Sequence, residues 1–440
     1  MSAMMAFESA PPFSAPLRFF LTAPLFAVLA GVLIAIEGPD IFSSRWMPAT
    51  LALTHLLTVG FMLQIMVGAL IQILPVVAGA SLSRPMLVAG LVHAGLTAGT
   101  LLLVGGLYFS TPVLLSSAAV FLGLSVAFFL FAAIRALMGV PSSSPTIRGL
   151  KLALFGLAVV VGLGVMMAAA MAHGWPLPLV VLTDLHAGWG LAGWAGILLA
   201  AVSYVVVPMF QLTPGYPARL SWWFPVAMLG FLLLWSLAVL LDLSVGVRIA
   251  EGGTALTGLV FAGLTLRLQQ QRRRARVDVT YRYWQLGLGA MVFALLMLCT
   301  EALWPAAVDL PGWPLLFGVL LIGGGFLSLI MGMLYRIVPF MAWMHLQNFG
   351  QAQVPAPNMN QILPSKQMER QMLSYAVAIG LMLLAAIFPD LLGRLAGAVY
   401  AMSCGWLWLN LLNAMLCYRR HKIQIMEKLQ AKKIAQANQN

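Results

Sequence analysis

Residues 55–75 read HLLTVGFMLQIMVGALIQILP, a single histidine followed by an apolar run that ends at a proline. At a rise of 1.5 Å per residue, a helix needs about 20 such residues to cross the hydrocarbon core of a bilayer. The rest of the chain has the same character, because 62% of its 440 residues are hydrophobic and 8% are charged. Soluble domains carry about 25% charged residues. The sequence therefore predicts an all-α integral membrane protein and excludes a soluble globular enzyme.

Apolar runs bounded by proline, glycine and charged residues predict twelve transmembrane helices. These runs are too long for the strands of an outer-membrane barrel, which alternate over about 10 residues. An even number of spans places both termini on the same side of the membrane. The predicted spans are 18–36, 47–78, 85–108, 111–136, 149–173, 180–211, 220–241, 246–267, 284–304, 312–344, 371–389 and 391–418.

The basic residues fall almost entirely on one side of this topology. Of 24 lysines and arginines, 21 lie on the side of the N-terminus, and only Arg45, Arg248 and Arg394 lie on the other. Basic loops stay in the cytoplasm, so we expect a multi-pass protein of a bacterial-type cytoplasmic (inner) membrane. Both termini are then cytoplasmic, with a basic tail at 419–440. The net charge of +12 follows from topology and contact with the lipid bilayer, and no nucleic-acid partner is expected.

A pattern of small residues and proline recurs in the second, sixth and tenth predicted spans. Each copy has a glycine fifteen residues before a proline and a small residue seven before it. The three glycines are 133 and 131 residues apart, which is four spans each time. The pattern predicts three four-helix units, approximately 18–136, 149–267 and 284–418, in a single membrane domain. The three sets are Gly60, Gly68 and Pro75; Gly193, Ala201 and Pro208; and Gly324, Gly332 and Pro339.

Three histidines, His55, His173 and His186, are predicted at similar depth near the outer ends of their spans. An ionisable residue inside a span indicates a functional site, and neutral imidazole is a ligand for haem iron, copper and zinc. We therefore predict His55 and His186 as cofactor ligands, and His173 and His186 as candidate metal ligands. The alternative is that these imidazoles make structural hydrogen bonds between helices.

With these features the chain resembles a distant member of the haem–copper oxidase subunit I superfamily. That resemblance implies twelve spans in three four-helix arcs around a pseudo-threefold axis, and a haem-ligating histidine on the second span, which His55 matches. The sixth span of the family carries a copper ligand, and His186 occupies a loosely similar place. The predicted spans 7, 8 and 10 contain no histidine, so the ligands of the high-spin haem and most of the copper site are missing.

The resemblance implies a haem-binding protein, with haem b as cofactor and copper as a second candidate, but not an oxygen reductase. Twelve-span haem- and copper-containing proteins linked to nitric oxide stress (NnrS type) keep a similarly reduced ligand set. A redox, sensing or nitric-oxide-stress role follows, with other respiratory membrane subunits as partners. The porphyrin would lie beside Gly60, Gly190 and Trp189. Two alternatives stay open, namely a copper- or metal-handling transporter or oxidase-assembly factor, and a helical scaffold of a membrane complex.

Overall fold

The computed structural model of the chain describes residues 11–273, 277–350 and 353–437, and within these ranges every regular element is a helix. Short helical turns at Gly38–Phe42, Pro305–Asp309 and Met359–Ile362 join some of the longer elements. The long helices are α1 (Ser14–Glu37), α2 (Pro48–Ala78), α3 (Pro85–Tyr108), α4 (Pro112–Leu137), α5 (Pro145–His173), α6 (Leu179–Gln211), α7 (Ala218–Leu240), α8 (Ser244–Gln270), α9 (Val279–Leu303), α10 (Trp313–Phe349), α11 (Ser365–Ala385) and α12 (Pro389–Ala437).

Eleven of these helices, α1 to α10 and α12, are long and apolar enough to cross a membrane. The fold is therefore that of a multi-pass helical membrane protein. Helix α11 has 21 residues but does not reach the same apolar character, because its first turns contain Lys366, Glu369 and Arg370. The predicted span 371–389 thus begins six residues early, at Ser365, and ends at Ala385.

Proline and glycine set many of the helix ends. Proline suits the first helical turn, where no backbone N–H needs an intrahelical partner. Gly79 and Gly174 follow α2 and α5 with φ of +66° and +68°, the left-handed conformation that terminates helices. Helix α12 has no such stop after the predicted span and continues to Ala437, so the described part of the basic tail is helical. The helices that begin at a proline are α2 at Pro48, α3 at Pro85, α4 at Pro112, α5 at Pro145 and α12 at Pro389.

The helix packing follows a closed circuit. In order, α1, α3, α4, α5, α7, α8, α9, α11 and α12 each pack on the next, and α12 packs back on α1. The helices left out of this circuit, α2, α6 and α10, are the most buried of the eleven candidate spans. These three line most of a cavity of about 70 Å³, and the middle of α2 contacts the middle of α10. The core of the molecule therefore lies where α2, α6 and α10 meet.

Each of these inner helices approaches the helix before it at the small residue seven positions before its proline. A Cβ atom added to Gly68 would lie 2.8 Å from the Cβ of Phe19, and one added to Gly332 would lie 2.7 Å from the Cβ of Tyr283. In α6 the small residue is Ala201, and the close neighbour is Gly149 of α5. A Cβ atom added to Gly149 would lie 2.6 Å from the Cβ of Ala201. Small residues permit such close helix contacts in membranes.

The inner helices also share an irregularity. Each contains a π-helical segment, with hydrogen bonds between residues i and i+5, and each segment ends twelve residues before the repeated proline of its own helix. Such segments are rare and occur frequently at functional sites. They are Leu56–Leu63 in α2, Trp189–Gly196 in α6 and Val319–Leu327 in α10.

Candidate functional site

His55 is the last residue of α2 before its π segment. Its Nδ1 atom lies 2.8 Å from the backbone oxygen of Leu51, one turn earlier in the same helix. A carbonyl oxygen only accepts hydrogen bonds, so Nδ1 carries the proton and donates it. The lone pair is then on Nε2, and the hydrogen bond holds the ring in the tautomer and orientation that metal-binding histidines use.

His186 lies on α6, three residues before the second π segment. Its ring is close to the backbone carbonyl of Val160 on α5, and its Nδ1 atom is buried with no hydrogen-bond partner. A buried polar nitrogen without a partner is costly and needs an explanation. Gly164 provides the space for the ring, because a Cβ atom added there would lie 3.0 Å from Cε1 of His186.

The two imidazoles are neighbours, with ring centroids 6.3 Å apart and ring planes 28° apart. A metal ion bound by one nitrogen of each ring needs two bonds of about 2 Å, and the half-widths of the two rings bring the centroid separation to about 6 Å. The observed separation is close to this value. Helices α2 and α6, which lie far apart in sequence, therefore bring two imidazoles to the separation that two ligands of one metal ion would have.

The set of donors around the pair limits the metal centre that fits. Within the described residues, no group of three or more His, Cys, Asp or Glu side chains is placed to hold a metal ion. A structural or catalytic zinc site needs three or four protein ligands, so the pair does not meet that requirement. A haem supplies most of the ligands of its own iron, so two protein imidazoles would suffice to hold it. The oriented ring of His55 and the unpaired ring nitrogen of His186 would be the residues that hold such a group.

An ion pair lies near the N-terminal ends of the same two helices. Arg45, just before α2, donates from Nη1 to Oδ1 of Asp184 on α6 at 2.8 Å, and both side chains are about two-fifths exposed, at 39% and 41%. Asp184 is two residues before His186 in sequence. Glu251 and Glu301 lie close enough to Asp184 for electrostatic interaction. Arg45 and these three acidic side chains therefore form a charged cluster near the N-terminal end of α6.

The third predicted ligand, His173, lies elsewhere. It is exposed at the end of α5, with its Nε2 3.4 Å from Oγ of Ser116 and its ring stacked on Trp175 at 5.9 Å. The contacts of this ring are therefore with Ser116 and Trp175 and not with the imidazole pair.

The predicted cavity lining differs from the contacts in the structure. A Cβ atom added to Gly60 would lie 2.5 Å from Phe26 of α1, so Gly60 serves helix packing. Trp189 donates from Nε1 to Oγ of Ser236 on α7 at 3.0 Å and packs edge-on against Phe155 of α5. At Gly190 an added Cβ would lie 3.2 Å from Val160. These three positions therefore contact neighbouring helices.

One further histidine belongs to an inner helix. Helix α10 continues past the predicted end at 344 to Phe349 and so includes His345. The Nδ1 atom of this imidazole is hydrogen-bonded to the hydroxyl of Tyr418 on α12 at 2.8 Å. The ring stacks against Phe13, with centroids 5.5 Å apart. It lies at the C-terminal end of α10, beyond Pro339, whereas the imidazole pair lies at the N-terminal halves of α2 and α6. His345 is thus a packing residue with a satisfied nitrogen.

The sequence alone did not identify three residues in and near the site, namely Gly164, Arg45 and Asp184. Gly164 makes room for the His186 ring, but nothing distinguishes it in sequence from the neighbouring Gly162, which has open space around it. The Arg45–Asp184 pair had a weak signal, because Arg45 is one of three basic residues on the otherwise acidic side of the predicted topology. A lone arginine there suggests an acidic partner.

Comparison with known proteins identifies no family for this chain. No protein-family model matches the chain, and no curated protein is significantly similar to it. What the protein does must therefore be argued from the imidazole pair and its surroundings.

Proposed function

We propose that the protein binds haem b, that His55 and His186 would hold it, and that the protein acts in a redox, sensing or nitric-oxide-stress role. The observation that carries this proposal is the pairing of the two imidazoles at 6.3 Å, with one ring oriented by Leu51 and the other left with an orphaned nitrogen. Bound haem would supply reversible one-electron exchange at its iron.

Different residues of the chain would orient the two ligands and keep water away from the group. The Leu51 carbonyl keeps Nδ1 of His55 protonated and thus keeps Nε2 available. Gly164 sets the position of the His186 ring. The surrounding apolar helices exclude water, which strengthens the interaction between a neutral imidazole and a metal ion.

The architecture that we propose is twelve spans, including α11, in three four-helix units related by a pseudo-threefold axis, with both termini in the cytoplasm. The equivalent π segments, the equivalent close contacts of α2, α6 and α10, and the circuit formed by the other nine helices support this arrangement. It is the arrangement expected of a distant member of the haem–copper oxidase subunit I superfamily. The residue content argues against oxygen reduction, because α7 and α8 carry no histidine and His345 of α10 is bonded to Tyr418.

The second candidate function is copper handling, either transport or assembly of an oxidase. It is favoured by one observation, the acidic side chains of Glu251 and Glu301 around Asp184, which is two residues before His186 in sequence, because acidic groups attract cations that imidazoles can bind. A scaffold without chemistry would leave the buried Nδ1 of His186 unexplained.

Absorbance and metal analysis of purified protein separate these functions. We expect protein expressed with ample haem to show a Soret band that is lost in His55→Ala and in His186→Ala. His173→Ala, a histidine change at an exposed position, should leave the band unchanged and serves as the matched control. A wild-type protein that contains stoichiometric copper and no haem would favour the second function. A protein with neither would refute both.

A further inference from the structure

A group of basic and aromatic side chains lies where α5 and α7 begin, at the opposite end of the molecule from the imidazole pair. Helices α5 and α6 run antiparallel, because Gly149 near the start of α5 contacts Ala201, whereas Gly164 contacts His186 near the start of α6. Helix α7 begins at the same end as α5, since a Cβ atom added to Gly149 would also lie 3.7 Å from Pro225 of α7. This group is therefore separate from the proposed haem ligands.

The group is built around the guanidinium of Arg148, in the first turns of α5. Its central carbon lies 4.7 Å from the ring centroid of Trp222 and 5.8 Å from that of Trp223, both on α7. Arg219 precedes these tryptophans by three and four residues, so it lies on the same face of α7. Lys151 follows Arg148 by three residues and lies on the same face of α5. We call these five residues the basic–aromatic patch.

No acidic side chain of these helices balances the three positive charges. Residues 112–173 and 212–240, which include α4, α5 and α7, contain no Asp or Glu. Across the described parts of the chain, Arg148 and Arg219 form no ion pair and no side-chain hydrogen bond, and Lys151 donates only to the backbone oxygen of Val140, at 2.6 Å. The N–H groups of both guanidiniums are thus available to an external acceptor.

The positions of Arg148 and Arg219 add to the positive potential. The N-terminal end of a helix carries a positive partial charge, so acidic residues are favoured there and basic ones are not. The first turns of α5 and α7 contain no acidic residue, and each helix instead has an arginine within its first four residues. A negative group bound at the patch would offset this unfavourable arrangement.

The patch lies at the level of the lipid head groups. Helix α7 has 23 residues and is about 35 Å long, slightly more than the hydrocarbon thickness of about 30 Å. Its first turns, with Arg219, Trp222 and Trp223, therefore reach the polar layer of the bilayer. Trp223 is 60% exposed, and tryptophan is enriched at this depth because its ring is apolar and its N–H is polar. The molecules that surround the patch are thus phospholipids.

We propose that the basic–aromatic patch selectively binds the head group of an anionic phospholipid of the phosphatidylglycerol type. The planar guanidinium of Arg148, held against the tryptophan rings, can donate two parallel N–H bonds to phosphate oxygens. Arg219 and Lys151 add two further positive charges. Phosphatidylcholine carries the same phosphate, but its choline cation would lie among three basic side chains. This inference goes beyond the haem proposal and does not depend on it, because lipid binding is measured without reference to haem.

Native mass spectrometry of the protein in detergent, titrated with dioleoyl-phosphatidylglycerol or dioleoyl-phosphatidylcholine, tests this proposal. We expect the first phosphatidylglycerol to bind more tightly than the first phosphatidylcholine. Arg148→Gln should weaken phosphatidylglycerol binding about fivefold, the loss typical of one basic residue at an anionic surface. Arg148→Lys keeps the charge but loses the planar pair of donors, so its loss should be smaller. Arg84→Gln, at an exposed arginine between α2 and α3, is the matched control and should change the affinity by less than about twofold.

A second variant and a soluble competitor keep the outcome decisive. Arg219 is exposed and has no side-chain partner among the described residues, so Arg219→Gln should not affect folding and should also weaken phosphatidylglycerol binding about fivefold. Glycerol 3-phosphate at the concentration of the lipid should not displace it, because it has no acyl chains in the bilayer. Displacement would identify a site for soluble phosphates. Equal affinity for both lipids, or equal losses in Arg84→Gln, Arg148→Gln and Arg219→Gln, would identify general charge attraction and overturn the proposal.

Discussion

Arg45 and Asp184 are joined by an ion pair of 2.8 Å between Nη1 and Oδ1, and this pair connects the two helices that bear the imidazoles. Arg45 precedes His55 by ten residues and Asp184 precedes His186 by two. The ion pair thus joins the segment before α2 to α6, and the rings of His55 and His186 lie 6.3 Å apart on the same two helices. We therefore expect the ion pair to influence the separation of the proposed ligands.

We expect this ion pair to contribute little to global stability and more to the geometry of the site. Because both side chains are about two-fifths exposed, the coupling energy of Arg45→Gln and Asp184→Asn should be only about 0.2–1 kcal/mol. A double-mutant cycle on thermal unfolding in detergent measures it. Each single variant should also lower haem occupancy. Exchanging the charges, with Arg45→Asp and Asp184→Arg together, should restore that occupancy, and a fully additive cycle would contradict the link.

Gly164 allows a test of the position of the His186 ring. Gly164→Ala would place a Cβ atom 3.0 Å from Cε1 of His186, so the ring must move by a few tenths of an ångström. We expect haem affinity to fall by about tenfold to a hundredfold, as for other changes next to a metal ligand, with the protein still inserted in the membrane. Haem titration followed by absorbance measures this loss.

Gly162→Ala is the matched control for that experiment. It lies on the same helix, two residues away, and an added Cβ atom there has nothing within 4 Å. Its haem affinity should equal that of wild type. If both variants bind haem equally well, His186 is not held as the structure places it.

The close contact between α9 and α10 predicts a difference between two glycines. Gly332→Ala brings a Cβ atom to 2.7 Å from the Cβ of Tyr283, which forces the helices apart and should destabilise the protein by about 1–3 kcal/mol. Gly289→Ala on α9 meets nothing within 4 Å and should be neutral or slightly stabilising. Comparison of their thermal unfolding midpoints in the same detergent checks this. Equal midpoints would rule out the close packing.

Cysteine labelling tests the proposed topology, including the passage of α11. In intact cells we expect an impermeant maleimide to label Ser43→Cys and Phe388→Cys, and not Gly139→Cys or Pro355→Cys. The last two positions lie in loops on the side richest in basic residues, so they should be cytoplasmic. Labelling of Pro355→Cys and Phe388→Cys from the same side would show that α11 does not cross.

The three native cysteines must be replaced by serine first. Cys299 and Cys417 are partly exposed, whereas Cys404 is buried, so the first two would dominate any background. Permeabilised cells provide the positive control, because both cytoplasmic positions should then react. This control distinguishes a shielded cysteine from one that is unreactive for local reasons.

Local sequence signals predicted the helices where strong boundaries exist. The predicted span 85–108 coincides with α3, Pro85–Tyr108, because a proline begins it and apolar residues fill it. The predicted bounds were less accurate where charged residues lie inside a helix. Helix α11 contains Lys366, Glu369 and Arg370 in its first turns, and a hydropathy criterion places the span after them. Lysine, glutamate and arginine are good helix formers, so the helix includes them although they lower its hydropathy.

The candidate site was predictable in residue type but not in geometry. An imidazole near the outer end of a span is a property of His55, His173 and His186 alike. That His55 and His186 meet depends on the contact between two helices more than 100 residues apart in sequence and on their positions relative to the repeat. His55 is twenty residues before its proline and His186 is twenty-two before its own, so the repeat alone does not make them equivalent. His173 satisfies the same depth criterion and lies apart, because its helix exposes that end.

The π segments of α2, α6 and α10 affect which parts of each inner helix can be substituted independently. A turn closed from i to i+5 holds one residue more than an ordinary turn, which rotates the rest of the helix by about 100°. The N-terminal half of each inner helix is thereby set at its own angle, independent of the small residues that pack the C-terminal half. Substitutions in one half need not disturb the other. In this chain the N-terminal half carries His55 in α2 and His186 in α6, whereas the N-terminal half of α10 carries no histidine.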